Sequence, residues 1–121
     1  MPPEYSPPDT DKPPTSLNVL IVEDDELLSM RLELVLEENG HGSLSVTSAE
    51  QAMQAMAAVY FPVLIVDRML GDSDGIELCR QFRARHPDRR VYIMMLTSLD
   101  SEADVAAGFE AGADAYVSKR V

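Results

Sequence analysis

A chain of 121 residues, 45% hydrophobic and 26% charged, holds enough apolar material for one small domain with a packed core and leaves no room for a second. Its formal charge of −11 is the wrong sign for a phosphate backbone, so direct nucleic-acid binding by this segment is not expected. One cysteine cannot close an internal disulfide, no apolar run approaches the roughly 20 residues that cross a bilayer, and the amino terminus lacks the apolar stretch of a secretory signal, which together predict a reducing, cytoplasmic setting.

Six of the eight prolines fall within the first 16 residues, among polar neighbours with almost nothing to bury. This composition predicts a flexible, polyproline-like tail over 1–16, ahead of a domain over 17–121. The domain opens on an apolar strand, Asn18 to Val22, followed by a helix over Asp25 to Gly40 with Asp25 as its cap. In that helix Leu28, Leu32, Val35 and Leu36 recur at helical spacing. A weaker strand, Gly42 to Val46, precedes a helix opened by Ser48, with Gln51 placed to complete a capping box. A third strand covers Val63 to Val66; a loop "GDSDG" and a helix from about Gly75 to Arg85, stopping before Pro87, come next. Strand Val91 to Leu96, helix Ser101 to Ala111 and strand Ala115 to Val117 complete the alternation.

These strands are apolar throughout rather than on alternate residues, the pattern of a parallel sheet covered on both faces, so the predicted class is doubly wound α/β. In such a sheet every strand points the same way, and side chains that follow the strand ends meet at one rim. Glu23 and Asp24 follow the first strand, Asp67 the third, Thr97 the fourth and Lys119 the fifth. Two carboxylates about 4 Å apart repel by roughly 1 kcal/mol in water and about 4 kcal/mol at an effective dielectric near 20. Three of them call for a cation. Hard oxygen donors without a neighbouring His or Cys suit Mg²⁺ or Mn²⁺ rather than zinc. A carboxylate beside such an ion can act as a nucleophile toward a phosphoryl group, with the metal, Lys119 and the Thr97 hydroxyl dividing the phosphoryl oxygens between them.

The pieces "VLIVEDD", "LIVDRMLGDSDG", "MMLTS" and "GADAYVSK", in this order and spacing over Leu17 to Lys119, resemble the receiver domain of response regulators in two-component signalling. The resemblance implies a five-stranded sheet in the flavodoxin-like order 2-1-3-4-5. It implies a phosphorylation-dependent switch, not an enzyme with turnover, in which Asp67 accepts a phosphoryl group from a histidine kinase or phosphotransfer protein. Asp24 would bind Mg²⁺ directly, Glu23 through water, and the Met69 carbonyl would be a further ligand. Thr97 and Tyr116 would form the conformational switch, and Lys119 would contact the phosphate.

The sequence departs from the family pattern in three places. Gly71 and Arg120 stand where proline is usual, and a cis bond before Arg120 would cost about 3 kcal/mol more than trans. A fifth helix is expected after Lys119, yet the sequence ends at Val121. A helix covering on the order of 400 Å² of apolar surface contributes on the order of 10 kcal/mol, comparable with the whole net stability of a small domain. The expectation is therefore a fragment of a longer regulator, or a face covered by self-association, as in a homodimer, or by the Pro-rich tail.

Other residues have simpler readings. Cys79 is expected in the core, His41 and His86 in solvent beside turns, and Arg80, Arg83, Arg85, Arg89 and Arg90 on a soluble face. One rival function is a phosphatase of the haloacid-dehalogenase type, which needs a general acid two positions after the nucleophile, where Met69 stands. Another is a degenerate receiver that binds a partner without being phosphorylated.

Overall fold

The computed structural model describes residues 16–71 and 73–119. Nearly all of the expected Pro-rich tail, and Arg120 with it, lie outside the described residues. The strands are β1 (Asn18–Val22), β2 (Gly42–Val46), β3 (Val63–Val66), β4 (Met69–Leu70), β5 (Ser73–Asp74), β6 (Tyr92–Thr97) and β7 (Ala115–Ser118), and the helices are α1 (Glu26–Glu38), α2 (Ala49–Ala58), α3 (Gly75–Arg85) and α4 (Glu102–Glu110). Five of the strands form one sheet in the order β2-β1-β3-β6-β7, every pair parallel. Counting only those five, this is the flavodoxin-like 2-1-3-4-5 order. The loop after Asp67 contains structure the sequence did not announce, because β4 and β5 pair antiparallel as a separate two-residue ladder.

Capping residues set the helix starts. Asp25 Oδ1 accepts from the N–H groups of Leu27 and Leu28, so α1 begins one residue after its expected first position. Ser48 Oγ accepts from Gln51 N–H, but the Gln51 side chain accepts from Thr47 N–H rather than from Ser48, so the expected box closes one residue early. The reciprocal box is found at α4, where Ser101 Oγ accepts from Asp104 N–H and the Asp104 carboxylate accepts from Ser101 N–H.

One face of the sheet is fully covered. Leu20, Val22, Leu64, Val66, Ile93 and Met95 pack there with Ala52 and Met56 of α2 and with Ile76, Leu78, Cys79 and Phe82 of α3. The other face is covered only in part: α1 packs on β2, Tyr92 and Val117 are exposed, and Met94 and Leu96 are half-buried. Val35, expected on the core side of α1, is 55% exposed for the same reason. Three other expectations are refined. His41 is half-buried and its Nδ1 accepts from Leu17 N–H, while the half-buried His86 ring lies 5.1 Å from that of Phe82. Arg83 and Arg89 are fasteners rather than solvated charges. Arg83 donates to Gly112 O and Val91 O and pairs with Asp114, and Arg89 donates to Met56 O.

Candidate functional site

Backbone pairing continues one residue past three strand ends and thereby builds the rim. Glu23 N–H donates to Val46 O, Asp67 N–H to Val22 O and Lys119 N–H to Thr97 O. With Val22 opposite Val66 in the β1–β3 register, Glu23 and Asp67 leave adjacent strands side by side, at the point where the strand order reverses. Glu23 is 3% exposed and Asp67 6%, whereas Asp24 faces solvent. Each of the three offers a carboxylate oxygen within 4.8 Å of the others.

Lys119 closes the group. Its Nζ lies 2.8 Å from Asp67 Oδ2 and 3.2 Å from both oxygens of Glu23. The other Asp67 oxygen, Oδ1, accepts from Met69 N–H at 3.0 Å, and Glu23 Oε1 accepts from Asp25 N–H at 3.2 Å. Burial, and then the neighbouring Asp67 charge, push the Glu23 carboxyl above its ordinary value, against the pull of Lys119 and of the Asp25 N–H. Burial also pulls the Lys119 ammonium down, but its bonds to Asp67 and Glu23 outweigh that and hold it above the usual lysine value. With all groups ionised, three carboxylates and one ammonium leave an excess of two negative charges. The donors are hard oxygens, so the set fits a small divalent cation of the Mg²⁺ class.

The remaining expected residues occupy the neighbouring strand ends. Thr97 is wholly buried at the end of β6, and its Oγ1 accepts from Leu99 N–H at 3.3 Å. Tyr116 lies opposite Met95 on β7, half-buried, and its hydroxyl donates to Leu99 O. Both therefore hold the same residue of the β6–α4 loop. Met69 is exposed and presents no acid where a phosphatase of the rival type would need one.

Two features, at Gly75 and Arg68, escaped the sequence reading, and the conformation of a third residue, Gly71, was not anticipated. Gly75 begins α3 against the back of the site, where a Cβ would lie 2.3 Å from Asp67 O, and its N–H donates to Arg68 O. Gly71 has φ +62°, a left-handed conformation that proline cannot adopt, so the loop takes its own course there. Arg68, next to Asp67, reaches α4 and pairs with Asp104 at 3.0 Å. Only Gly75 carried a local signal, as a glycine directly after a capping aspartate.

The model for the response regulator receiver domain matches residues 19–121. The chain belongs to this family. Among its relatives, the transcriptional regulatory protein AfsQ1 of Streptomyces coelicolor is 36% identical over 86% of this chain and 45% of its own length. A response regulator from Chloroflexus aurantiacus is 35% identical, with a TM-score of 0.80 over 87% of this chain and 86% of that one. A response regulator from Burkholderia pseudomallei, solved with a phosphorylated aspartic acid, a calcium ion and citrate, is 27% identical, with a TM-score of 0.80 over 87% of this chain and 61% of that one. This receiver spans less than half the length of the curated relatives it matches. Switching by phosphorylation is general to the family, and the domain is regulatory. No described helix is long and apolar enough to cross a membrane.

Proposed function

We propose that this receiver accepts a phosphoryl group on Asp67 from the phosphohistidine of a histidine kinase or phosphotransfer protein, and that the modification changes the surface built by α4 and β7. In the transfer, an Asp67 carboxylate oxygen attacks phosphorus. A P–O bond forms as the P–N bond breaks, and the imidazole leaves and takes up a proton. Glu23, Asp24, Asp67 and the Met69 carbonyl are the groups that would hold Mg²⁺ or Mn²⁺, Glu23 through water. When bound, the cation supplies charge neutralisation between these carboxylates and the incoming phosphoryl oxygens.

The observation that carries the reading is the Lys119 ammonium, 2.8 Å from Asp67 and in contact with Glu23, at the carboxyl rim of the sheet. It already sits where a phosphoryl oxygen on Asp67 would need a counter-charge. The phosphorylated aspartate and the metal of the Burkholderia pseudomallei neighbour support the same chemistry. Thr97 would turn to donate its hydroxyl to the phosphoryl group, and that movement would draw its Oγ1 away from the Leu99 N–H it accepts from, a residue Tyr116 also holds. Carrying a population from 1:99 to 99:1 takes about 5.5 kcal/mol of preference for the active state. Two or three hydrogen bonds to a charged group, at about 1.5–3 kcal/mol each, supply about 3–9 kcal/mol, a range that includes this value.

The test is intact mass at neutral pH after incubation with a small-molecule phosphodonor and Mg²⁺. One phosphoryl group should be gained by the native chain and none by Asp67→Asn. A gain that survives this substitution would move the acceptor elsewhere. No gain in the native chain, together with no Mg²⁺ binding, would favour the phosphorylation-independent interaction module.

A further inference from the structure

The inner side of α4 carries a glycine, Gly108, at a buried position where the helix itself would prefer alanine. A Cβ at Gly108 would lie 2.6 Å from Cδ2 and 2.7 Å from Cε2 of Tyr116, and 3.3 Å from Met95 Sδ. Carbon atoms in contact sit about 3.5–4.0 Å apart, so a Cβ and the ring cannot share this space. The ring has it. Its hydroxyl donates to Leu99 O, and Phe109 lies beside it with 6.5 Å between ring centroids.

Nor is α4 free to back away. At its amino end Arg68 Nη1 donates to both the backbone O and Oδ1 of Asp104, tying the helix to the residue after Asp67. Beyond its carboxyl end Arg83 Nε and Nη2 donate to Gly112 O at 3.1 and 2.8 Å, while Nη1 of the same guanidinium holds Val91 O. Gly108 lies one turn past Asp104 and, through its own carbonyl, accepts from Ala113 N–H. A side chain there would press on a ring between two fixed helix ends.

We infer that Gly108 is the seat that admits Tyr116 to its inward position, and that a Cβ at this one site would uncouple the aromatic from events at Asp67. The inference deepens the proposed function, on whose assignment of Tyr116 as the responsive residue it rests. Gly108 acts through Tyr116 and is a positioning residue.

The test uses the full chain carrying fluorotyrosine. Four tyrosines give four ¹⁹F signals, and Tyr116→Phe identifies the one that matters. In Gly108→Ala the Tyr116 signal should shift to a solvent-exposed value and stay there at saturating Mg²⁺ and beryllofluoride, whose own bound ¹⁹F signal reports Asp67 independently. A Tyr116 signal unchanged by Gly108→Ala would overturn the inference. Beryllofluoride that fails to bind the native chain would instead count against the phosphoacceptor reading, and the seat would still be judged on the shift without it. Should Gly108→Ala fold poorly, thermal melting decides in a second background. With Tyr116→Ala the added methyl should no longer lower the melting temperature, since the ring it opposes is gone. An equal loss in both backgrounds would assign Gly108 a purely structural role and overturn the proposal.

Discussion

Lys119 stands between two buried carboxylates, and its removal is the most informative single change at the site. Without the ammonium, Glu23 and Asp67 keep their burial and lose their shared counter-charge. Removing one partner of a buried pair costs about 3–5 kcal/mol. Lys119→Ala should lose stability near the lower end of that range in metal-free buffer, because the lysine side chain keeps 25% of its exposure. Saturating Mg²⁺ should restore most of the loss by replacing the missing positive charge, as read from urea midpoints with and without the ion. A loss that Mg²⁺ leaves untouched would mean that the carboxylates do not share a cation site. The neighbouring Glu23 predicts a pH effect with a definite sign. Its folded pKa is raised above the ordinary 4.5, so the folded chain binds this proton more tightly than the unfolded chain does. Stability relative to Glu23→Gln should therefore grow as pH falls from the raised value toward the ordinary one, and shrink as pH rises through the same interval. Affinity for Mg²⁺ should move the opposite way, weakening from a higher pH than an unperturbed carboxylate would allow. Calorimetric titration of the native chain and Glu23→Gln across that interval checks both signs.

At the scale of elements, what matters is how α3 and α4 are held against the strand ends. Gly75 lets α3 start against the Asp67 carbonyl, with Arg68 Cα 2.9 Å from the position of a Cβ, so backbone atoms rather than a movable side chain oppose any substitution. Gly75→Ala should cost about 1–3 kcal/mol by overpacking even though alanine is the better helix former, and it should shift Asp67 enough to weaken Mg²⁺ binding. Chemical denaturation and a metal titration measure the two effects. If Ala at this position raised stability, the close approach would be absent in solution. Much of this layer could be read in the sequence, because the runs Val19–Val22 and Val63–Val66 are apolar without interruption and Asp25 is a good cap standing before a periodic run. Less could be read where the deciding contact is distant in sequence. Gly108 looks like a flaw in a helix until Tyr116 is placed on it, and Arg68 looks like a solvated charge until Asp104 is brought across from α4. The β4–β5 ladder has only two residues in each strand, too short for any period to show.

For the molecule as a whole, the unequal covering of the sheet's two faces has the largest consequence. Leu27, Leu28 and Arg31 of α1 form one wall of a cleft of about 430 Å³, with Leu96 of β6 and Val117 of β7 on the other side. Leu27 is 73% exposed, and Met30 and Leu34, three and seven residues further along α1, are exposed too. Contiguous apolar areas of more than a few hundred Å² on a soluble chain mark contact surfaces. The 121-residue chain, produced alone, is therefore expected to self-associate through this face. The net charge of −11 opposes that contact, since copies of the chain repel one another. Salt shortens the range of the repulsion to about 8 Å at physiological ionic strength and leaves the apolar attraction in place. Association should thus strengthen as salt is raised, the reverse of what an ion-paired interface would do. Sedimentation equilibrium across a salt series should show a mass that rises with both protein and salt concentration. Leu27→Glu with Val117→Lys should return the chain to monomer while leaving Mg²⁺ binding at the rim intact, because neither side chain belongs to the acidic group. A native chain that remains monomeric at every salt concentration and binds no apolar dye would show that this face is covered in solution by some other part of the chain.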